Sequence, residues 1–121
     1  MQHHIGTDIL EIERIRQAIN RYGERFFNRV YTPAELEIYG HRAHSLAASF
    51  AAKEAVMKVL GTGNRGVAWR EIEVLFHRSG KPYIRLNGRA EKVAQKLGLK
   101  EIDVSMSHSR DNAVAVAIGT V

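Results

Sequence analysis

A stretch from about Ser45 to Leu60 constrains the fold more than any other part of the sequence. On a helical wheel its small and aliphatic side chains cover one broad arc, and Phe50 and Met57 add apolar surface on the far side. That arc comprises Ala48, Ala51, Ala52, Ala55, Val56, Val59 and Leu60. A helix that is apolar almost all round is usually buried. We therefore predict a long central helix that ends at Gly61.

Three charged residues, Lys53, Glu54 and Lys58, interrupt this apolar surface. An exposed pair between Glu54 and Lys58, four residues apart, would explain two of them and stabilise the helix by about 0.2–0.5 kcal/mol. The apolar surroundings favour a second interpretation, because a charge beside a buried stripe must be paired, bind a metal or face a ligand cleft. The central helix is therefore a candidate for carrying a functional site.

The first half of the chain predicts a strand and two further helices. Residues 3–9 alternate in polarity, which is typical of a half-buried strand and leaves Asp8 at a strand end. One face of this strand carries Ile5, Thr7 and Ile9, and the other carries His4, Gly6 and Asp8. From Glu11 the period becomes helical, which predicts a basic amphipathic helix. Thr32 and Glu35 match a capping box, so a short helix begins there.

The second half predicts a hairpin, a helix and two more strands. Residues 71–86 alternate on both sides of a turn at Ser79 and Gly80, residues 88–97 have a helical period, and residues 102–109 and 112–119 alternate again. The resulting order is β-α-α-α-β-β-α-β-β. It predicts one small α+β domain over residues 1–121, with a mostly antiparallel sheet packed against the central helix.

The composition excludes several classes of protein. A hydrophobic content of 45% over 121 residues is enough for one ordinary core. The absence of cysteine excludes disulfides, thiolate catalysis and cysteine-ligated zinc, and the six histidines lack a zinc-binding spacing, so we expect no zinc. The N-terminus lacks the pattern of a signal peptide, and no apolar run has the length of a membrane span. We expect a cytoplasmic protein.

The net charge of +5 favours a polyanionic partner, which could be nucleic acid, an acidic protein or a phosphate-rich small molecule. A small basic nucleic-acid-binding domain would need exposed aromatic side chains interleaved with lysines and arginines, and the sequence has only nine Phe, Trp and Tyr residues. A catalytically silent scaffold would lack a carboxylate pair suited to a site. We expect neither nucleic acid nor a membrane as partner.

Two carboxylates, Asp8 and Glu54, supply the hard oxygen ligands that a Mg²⁺ site takes from a protein. Lys53, Lys58 and the loop 61–63 could add cations and backbone N–H groups for a phosphate, although the loop equally fits an ordinary helix cap. His108 ends a predicted strand, where it is either a hydrogen-bonding residue or half of a serine–histidine pair.

Four segments in order resemble one family: IGTDILEIERI (5–15), SFAAKEAVMKVLGTG (49–63), GKPYI (80–84) and VSMSHSRDNAVAVAI (104–118). Together they resemble the small bacterial 4′-phosphopantetheinyl transferases, the holo-[acyl-carrier-protein] synthases. The resemblance implies Mg²⁺-dependent transfer of 4′-phosphopantetheine from coenzyme A to a serine of apo acyl carrier protein, releasing adenosine 3′,5′-bisphosphate, in support of fatty acid biosynthesis. It also implies a homotrimer with active sites between subunits.

The same resemblance assigns roles to individual residues. Asp8 and Glu54 would bind Mg²⁺ and act with Lys58 in catalysis, and either Glu54 or a metal-bound water would accept the serine proton. Lys58 and His108 would lie against the coenzyme A phosphates, with Gly61 and Gly63 as further contacts. Arg14 would face the carrier protein, together with Arg21 and Arg25 if the first helix continues through Gly23. Ser49 departs from the family, because many relatives carry a basic residue there.

Overall fold

The computed structural model describes residues 2–121, so Met1 of the predicted domain lies outside it. The strands and helices follow one another as β1 (His3–Glu11), α1 (Ile12–Tyr22), α2 (Glu24–Val30), α3 (Pro33–Tyr39), α4 (Ala43–Leu60), α5 (Gly63–Gly66), β2 (Ile72–Phe76), β3 (Pro82–Leu86), α6 (Gly88–Leu97), β4 (Glu101–His108) and β5 (Asn112–Thr120). A 3₁₀ turn at Trp69–Glu71 leads into β2.

Helix α4 is the predicted central helix, and 12 of its 18 residues are buried. It begins two residues earlier than the sequence predicts and ends at Gly61, whose φ of 74° is the left-handed conformation that glycine adopts without strain. The N–H groups of Gly61 and Thr62 donate to the Lys58 and Met57 carbonyls and close the last turn. The prediction of a buried central helix, made from apolar residues on almost every side of it, is therefore confirmed.

Two antiparallel sheets pack around α4. One has the strand order β1-β5-β4, and the other is the predicted β2–β3 hairpin. The inner face of the three-stranded sheet is lined by Ala113, Ala115 and Ala117, which are all buried. Such small side chains let the helix approach closely. The predicted α+β fold, with antiparallel sheet against a central helix, is confirmed.

The structure adds helices that the sequence analysis did not predict. Gly23 has a φ of 56° and ends α1, and a separate helix, α2, begins at Glu24. Helix α1 therefore does not continue through Gly23, and the condition under which Arg21 and Arg25 would share one continuous helix face with Arg14 is not met. The capping box of Thr32 and Glu35 is confirmed, since each side chain accepts the other residue's backbone N–H.

The outer face of the three-stranded sheet is apolar and exposed. Ile5 and Ile9 on β1 are 67% and 69% exposed, and Val116 and Ile118 on β5 are 40% and 38% exposed. Ile5 lies directly opposite Ile118 in the ladder, so these side chains are neighbours. The predicted alternation in β1 is present, but its isoleucine face points away from α4. Within residues 2–121, no helix has both the length and the hydropathy needed to cross a bilayer.

Candidate active site

Gly6 brings strand β1 unusually close to α4. A Cβ atom at this position would lie 2.0 Å from the Ala55 carbonyl oxygen and 3.0 Å from the Lys58 Cβ atom. Only a residue without a side chain fits there. Asp8 follows two residues later and points to the same face of the strand, so this contact places it beside the face of α4 that carries Glu54 and Lys58.

Lys58 connects α4 to this strand. Its Nζ atom donates to the Thr7 carbonyl oxygen at 2.6 Å and lies 3.6 Å from the Asp8 Oδ1 atom. The Lys58 side chain is 53% exposed, whereas that of Asp8 is 20% exposed. The lysine therefore keeps donor capacity toward solvent while it neutralises part of the carboxylate charge.

Glu54 lies close enough to Asp8 for the two carboxylates to repel one another. Burial raises the pKa of Glu54, the charge of Asp8 raises it further, and Lys58 lowers it. We find no hydrogen bond to the Glu54 carboxylate from any other described residue. Two neighbouring carboxylates, neither of which accepts a hydrogen bond from a described residue, favour a cation between them.

The donor set fits Mg²⁺. Residues 2–121 contain no cluster of three or more His, Cys, Asp or Glu side chains placed to share a metal ion. Mg²⁺ is usually held by one or two carboxylates and takes its other ligands from water and substrate phosphates. Asp8 and Glu54 are thus the residues that could hold this ion. Lys58 lies beside Asp8, where its ammonium group could contact a phosphate.

Lys53 does not belong to this group, which corrects its prediction as a phosphate-binding cation. Its side chain is fully buried, and its Nζ atom donates to Glu35 Oε1 at 2.7 Å and to the carbonyl oxygens of Ile72 and Trp69 at 2.7 and 3.1 Å. Burial lowers the pKa of Lys53, and Glu35 partly offsets this. All three ammonium hydrogens are used inside the core.

The loop 61–63 caps helix α4, which is one of the two interpretations that the sequence allows. The Gly61 N–H donates inside the helix cap, so in this conformation it is not directed at a ligand. Gly63 begins the short helix α5 with a φ of 58°. Both glycines lie within one turn or so of Lys58, and their contact with coenzyme A remains a prediction.

His108 lies beside the N-terminal end of α4, whereas Glu54 and Lys58 lie in the C-terminal half of this helix. Its ring packs against His44, with the two ring centroids 5.2 Å apart. His44 and Glu54 are ten residues apart on α4, which corresponds to about 15 Å along the helix axis. Strand β5 also separates β1 from β4. A single chain therefore does not bring His108 to the carboxylate pair, and we find no hydrogen bond between His108 and a described serine.

The three predicted carrier contacts form a basic surface on two helices. Arg14 and Arg21 are exposed on α1, and Arg25 is exposed on α2. The guanidinium groups of Arg21 and Arg25 lie 5.4 and 6.0 Å from the centroid of the Tyr22 ring. Although Gly23 breaks the helix, this stacking keeps the latter two arginines together.

An aromatic groove adjoins this basic surface and was not predicted. It has a volume of about 460 Å³ and lies between α2, α4 and the turn at residues 69–71. Phe26, Phe50 and Trp69 line it, with Phe50 stacked on Trp69 at 4.6 Å between ring centroids. Phe50 and Glu54 are one turn apart on α4, so the groove and the carboxylates share one side of the helix. The spacing of these aromatic residues along the chain does not predict the groove.

The sequence matches one family over nearly its whole length. Residues 4–117 match the model of the 4′-phosphopantetheinyl transferase superfamily. The holo-[acyl-carrier-protein] synthase of Herpetosiphon aurantiacus is 49% identical over an alignment of 121 positions that covers 94% of this chain and 95% of that protein. The corresponding protein of Gloeobacter violaceus is 51% identical over an alignment of 117 positions that covers 93% of this chain and 89% of that protein.

Solved structures agree with the fold. The holo-[acyl-carrier-protein] synthase of Neisseria meningitidis superposes with a TM-score of 0.90 at 34% identity and covers 98% of both chains. The Helicobacter pylori enzyme, solved in complex with coenzyme A, has a TM-score of 0.88 at 27% identity and covers 96% of this chain and 99% of its own. Because the family model spans residues 4–117 and relatives at 49% and 51% identity cover almost the whole chain, the chain belongs to the 4′-phosphopantetheinyl transferase superfamily.

Proposed function

We propose that this protein transfers 4′-phosphopantetheine from coenzyme A to a serine of apo acyl carrier protein and releases adenosine 3′,5′-bisphosphate. The observation that carries the proposal is the Asp8 and Glu54 carboxylate pair with Lys58 beside it. Relatives named as holo-[acyl-carrier-protein] synthases, and a similar structure solved with coenzyme A, support the choice of substrates.

In phosphoryl transfer, a protein contributes mainly by positioning the reacting groups and by stabilising the negative charge on the phosphates. Mg²⁺ held by Asp8 and Glu54 would neutralise charge on the pyrophosphate. Lys58 has donor capacity left to bind a phosphate oxygen, because only part of its hydrogen-bonding capacity is used on Thr7. Glu54, whose pKa is raised by burial and by Asp8, is the carboxylate suited to accept the serine proton.

The direct test is to incubate the protein with coenzyme A, Mg²⁺ and apo acyl carrier protein and to weigh the carrier by mass spectrometry. We expect the carrier to gain one phosphopantetheine, with adenosine 3′,5′-bisphosphate as the second product. Omission of the metal is the matched control, since charge on the pyrophosphate then stays uncompensated. A carrier whose mass is unchanged under every divalent metal would refute the proposed function.

The proposal includes a homotrimer with active sites shared between neighbouring subunits. The separation of His108 from the carboxylate pair supports it, because a rotation axis can bring one subunit's His108 to the next subunit's Asp8. The exposed apolar face of the three-stranded sheet supports it as well, since contiguous apolar surface on a small protein favours a protein interface. The apolar surface of α4 itself is covered within the chain.

Subunit complementation tests this arrangement. Asp8→Asn and His108→Ala each disable a different half of the shared site, so each variant alone should have low activity. After joint unfolding and refolding in equal amounts, every mixed trimer contains one intact site, and about one quarter of the wild-type activity should return. Light scattering should give the mass of a trimer. Activity that merely averages the two variants, or a fully active monomer, would contradict the shared site.

Arg14, Arg21 and Arg25 are proposed as the docking surface for the acidic carrier protein. Their charge would attract the carrier, and the aromatic groove beside Tyr22 offers apolar surface for it. This groove lies on the same side of α4 as Glu54, so a carrier docked there would hold its serine near the carboxylates. We place the reaction in the cytoplasm and in fatty acid biosynthesis, and the cysteine-free sequence is compatible with a reducing compartment.

A further inference from the structure

The net positive charge of the chain is concentrated in one part of the sequence. Residues 61–100 contain nine lysines and arginines but only three glutamates, whereas the rest of the chain contains nine basic and ten acidic residues. The first set therefore has a net charge of +6 and the second a net charge of −1. The predicted carrier contacts Arg14, Arg21 and Arg25 belong to the second set. The excess charge that favours a polyanionic partner thus lies elsewhere in the chain.

Helix α6 displays part of this charge as a basic stripe, formed by Arg89, Lys92 and Lys96. The three residues occupy positions i, i+3 and i+7, within an arc of about 60° on the helical wheel, and all are exposed. Ala90 and Ala94 are buried in the core on the other side of the helix. The basic stripe therefore faces away from the core and extends about 10 Å along the helix axis.

Two of these three cations have no counter-ion in the described chain. The Arg89 Nε atom lies 3.4 Å from the Glu71 Oε1 atom, so this arginine is paired. For Lys92 and Lys96 we find neither an ion pair nor a side-chain hydrogen bond with any described residue. Like charges four residues apart on a helix repel one another, and an acidic partner would relieve this repulsion.

A hollow of about 610 Å³ adjoins the basic stripe. One residue of α5 and five residues of α6 line it: Gly66, Arg89, Lys92, Val93, Gln95 and Lys96. No acidic or aromatic residue is among the described residues that line it. A nucleic acid bound there would find no aromatic side chain on which to stack its bases, whereas carboxylates need only cations. The hollow is therefore suited to the acidic surface of a protein.

The hollow and the aromatic groove are built on the same short segment of chain. Asn64 lines the groove and Gly66 lines the hollow, so helix α5 separates them. The turn that carries Trp69 into the groove also carries Glu71, which accepts the Arg89 backbone N–H and pairs with its guanidinium group. These bonds fix α6 relative to the groove. A protein that docks in the groove therefore has the basic stripe beside it.

We infer that Lys92 and Lys96 form a second docking surface for the acidic carrier protein, on the other side of the aromatic groove from the arginines of α1 and α2. Charge complementarity and the shared α5 segment favour this occupant. Contacts on both sides of the groove would orient the carrier as well as attract it. Helix α6 packs on the α4 side of the three-stranded sheet, whereas the proposed subunit contact uses the outer face. This inference rests on the proposed function.

The test reverses the charge of the basic stripe. We expect Lys92→Glu and Lys96→Glu each to lower kcat/KM for the apo carrier about threefold, and the double variant about tenfold, because exposed attractions are replaced by repulsions. The effect should lie in the KM for the carrier, while kcat and the KM for coenzyme A stay at the wild-type values. In 1 M salt, where charges are screened over about 3 Å, the double variant should come within about twofold of the wild type.

Lys100→Glu is the matched control. It makes the same charge change at an exposed lysine that follows α6 and does not line the hollow, so the KM for the carrier should stay at the wild-type value. An equal loss in this control, or a double variant with the wild-type KM for the carrier at low salt, would overturn the inference while leaving the proposed transfer intact.

A binding measurement separates this inference from the proposed function. If the wild-type protein transfers nothing, calorimetric titration with apo acyl carrier protein becomes the readout. The double variant should then bind the carrier about tenfold more weakly than the wild type and Lys100→Glu do, and absent or unchanged binding would overturn the inference. Poly(U) RNA is the competing probe. If its binding depended on both lysines while carrier binding did not, the surface would be assigned to nucleic acid and the inference would be overturned.

Discussion

The Glu54→Gln variant is expected to lose phosphopantetheine transfer by about 1000-fold, because several kcal/mol of charge stabilisation at the pyrophosphate depend on the metal that Glu54 would hold. Glutamine keeps the size of the side chain but removes its charge. The measurement is the rate of carrier mass gain over a range of Mg²⁺ concentrations, with far-UV circular dichroism to follow the fold. Glu37→Gln, an exposed glutamate on α3, should have no effect.

The stability of this variant separates a site residue from a structural one. Burial and the charge of Asp8 raise the pKa of Glu54 in the folded protein, so ionisation of Glu54 opposes folding. The wild-type protein therefore loses stability as the pH rises from the pKa of Glu54 in the unfolded chain through its higher pKa in the folded protein. Removing the charge should therefore raise the melting temperature at neutral pH and flatten this pH dependence. Normal Mg²⁺-dependent activity in Glu54→Gln would contradict the proposed metal site.

The sequence was sufficient to predict the central helix because the burial of α4 depends on its own composition. An apolar surface that extends round most of a helix has no place on a small protein except the core. The helix end was predictable for a local reason too, since Gly61 adopts a positive φ there. These properties need no knowledge of the neighbouring elements.

The orientation of β1 could not be predicted in the same way. Alternation shows that the two faces of a strand differ, and the bulkier isoleucines suggest the buried face. In the structure the buried face is the one with Gly6, because the Ala55 carbonyl leaves no room for a Cβ atom there. Close approach to a helix decided the orientation, and the isoleucines remain exposed on the outer face of the sheet.

The candidate site was predictable as a set of residues but not as a geometry. Lys53 and Glu54 are adjacent in sequence, yet successive residues on a helix point about 100° apart. That angle is enough to send Lys53 into the core and leave Glu54 at the edge near Asp8. The position of His108 beside the N-terminal end of α4 depends on the strand order β1-β5-β4, which no local pattern encodes.

Lys53 and Glu35 form a buried ion pair that joins α4 to α3 and to strand β2. Glu35 Oε1 accepts from Lys53 and from the Thr32 N–H, and Glu35 Oε2 accepts from the Val74 N–H at 2.8 Å. Both side chains are fully buried. Such a pair is costly to leave half-formed, because the remaining charge has neither water nor a partner.

We expect Lys53→Met to lower the free energy of unfolding by about 3–5 kcal/mol, the cost of an unpaired buried charge at Glu35. Urea titration followed by circular dichroism measures it. Combining Lys53→Met with Glu35→Gln should recover much of the loss, because the second change removes the unpaired charge while the amide oxygen can still accept a backbone N–H.

Arg16→Ala, which breaks the exposed pair with Glu13 at 3.4 Å, is the control and should change the free energy of unfolding by less than about 0.5 kcal/mol. Two results would show that Lys53 and Glu35 are not energetically coupled: a change in unfolding free energy for Lys53→Met as small as that of the control, or a double variant whose change equals the sum of the two single changes. In that case the hydrogen bonds to the Trp69 and Ile72 carbonyl oxygens would account for the position of Lys53 in the core.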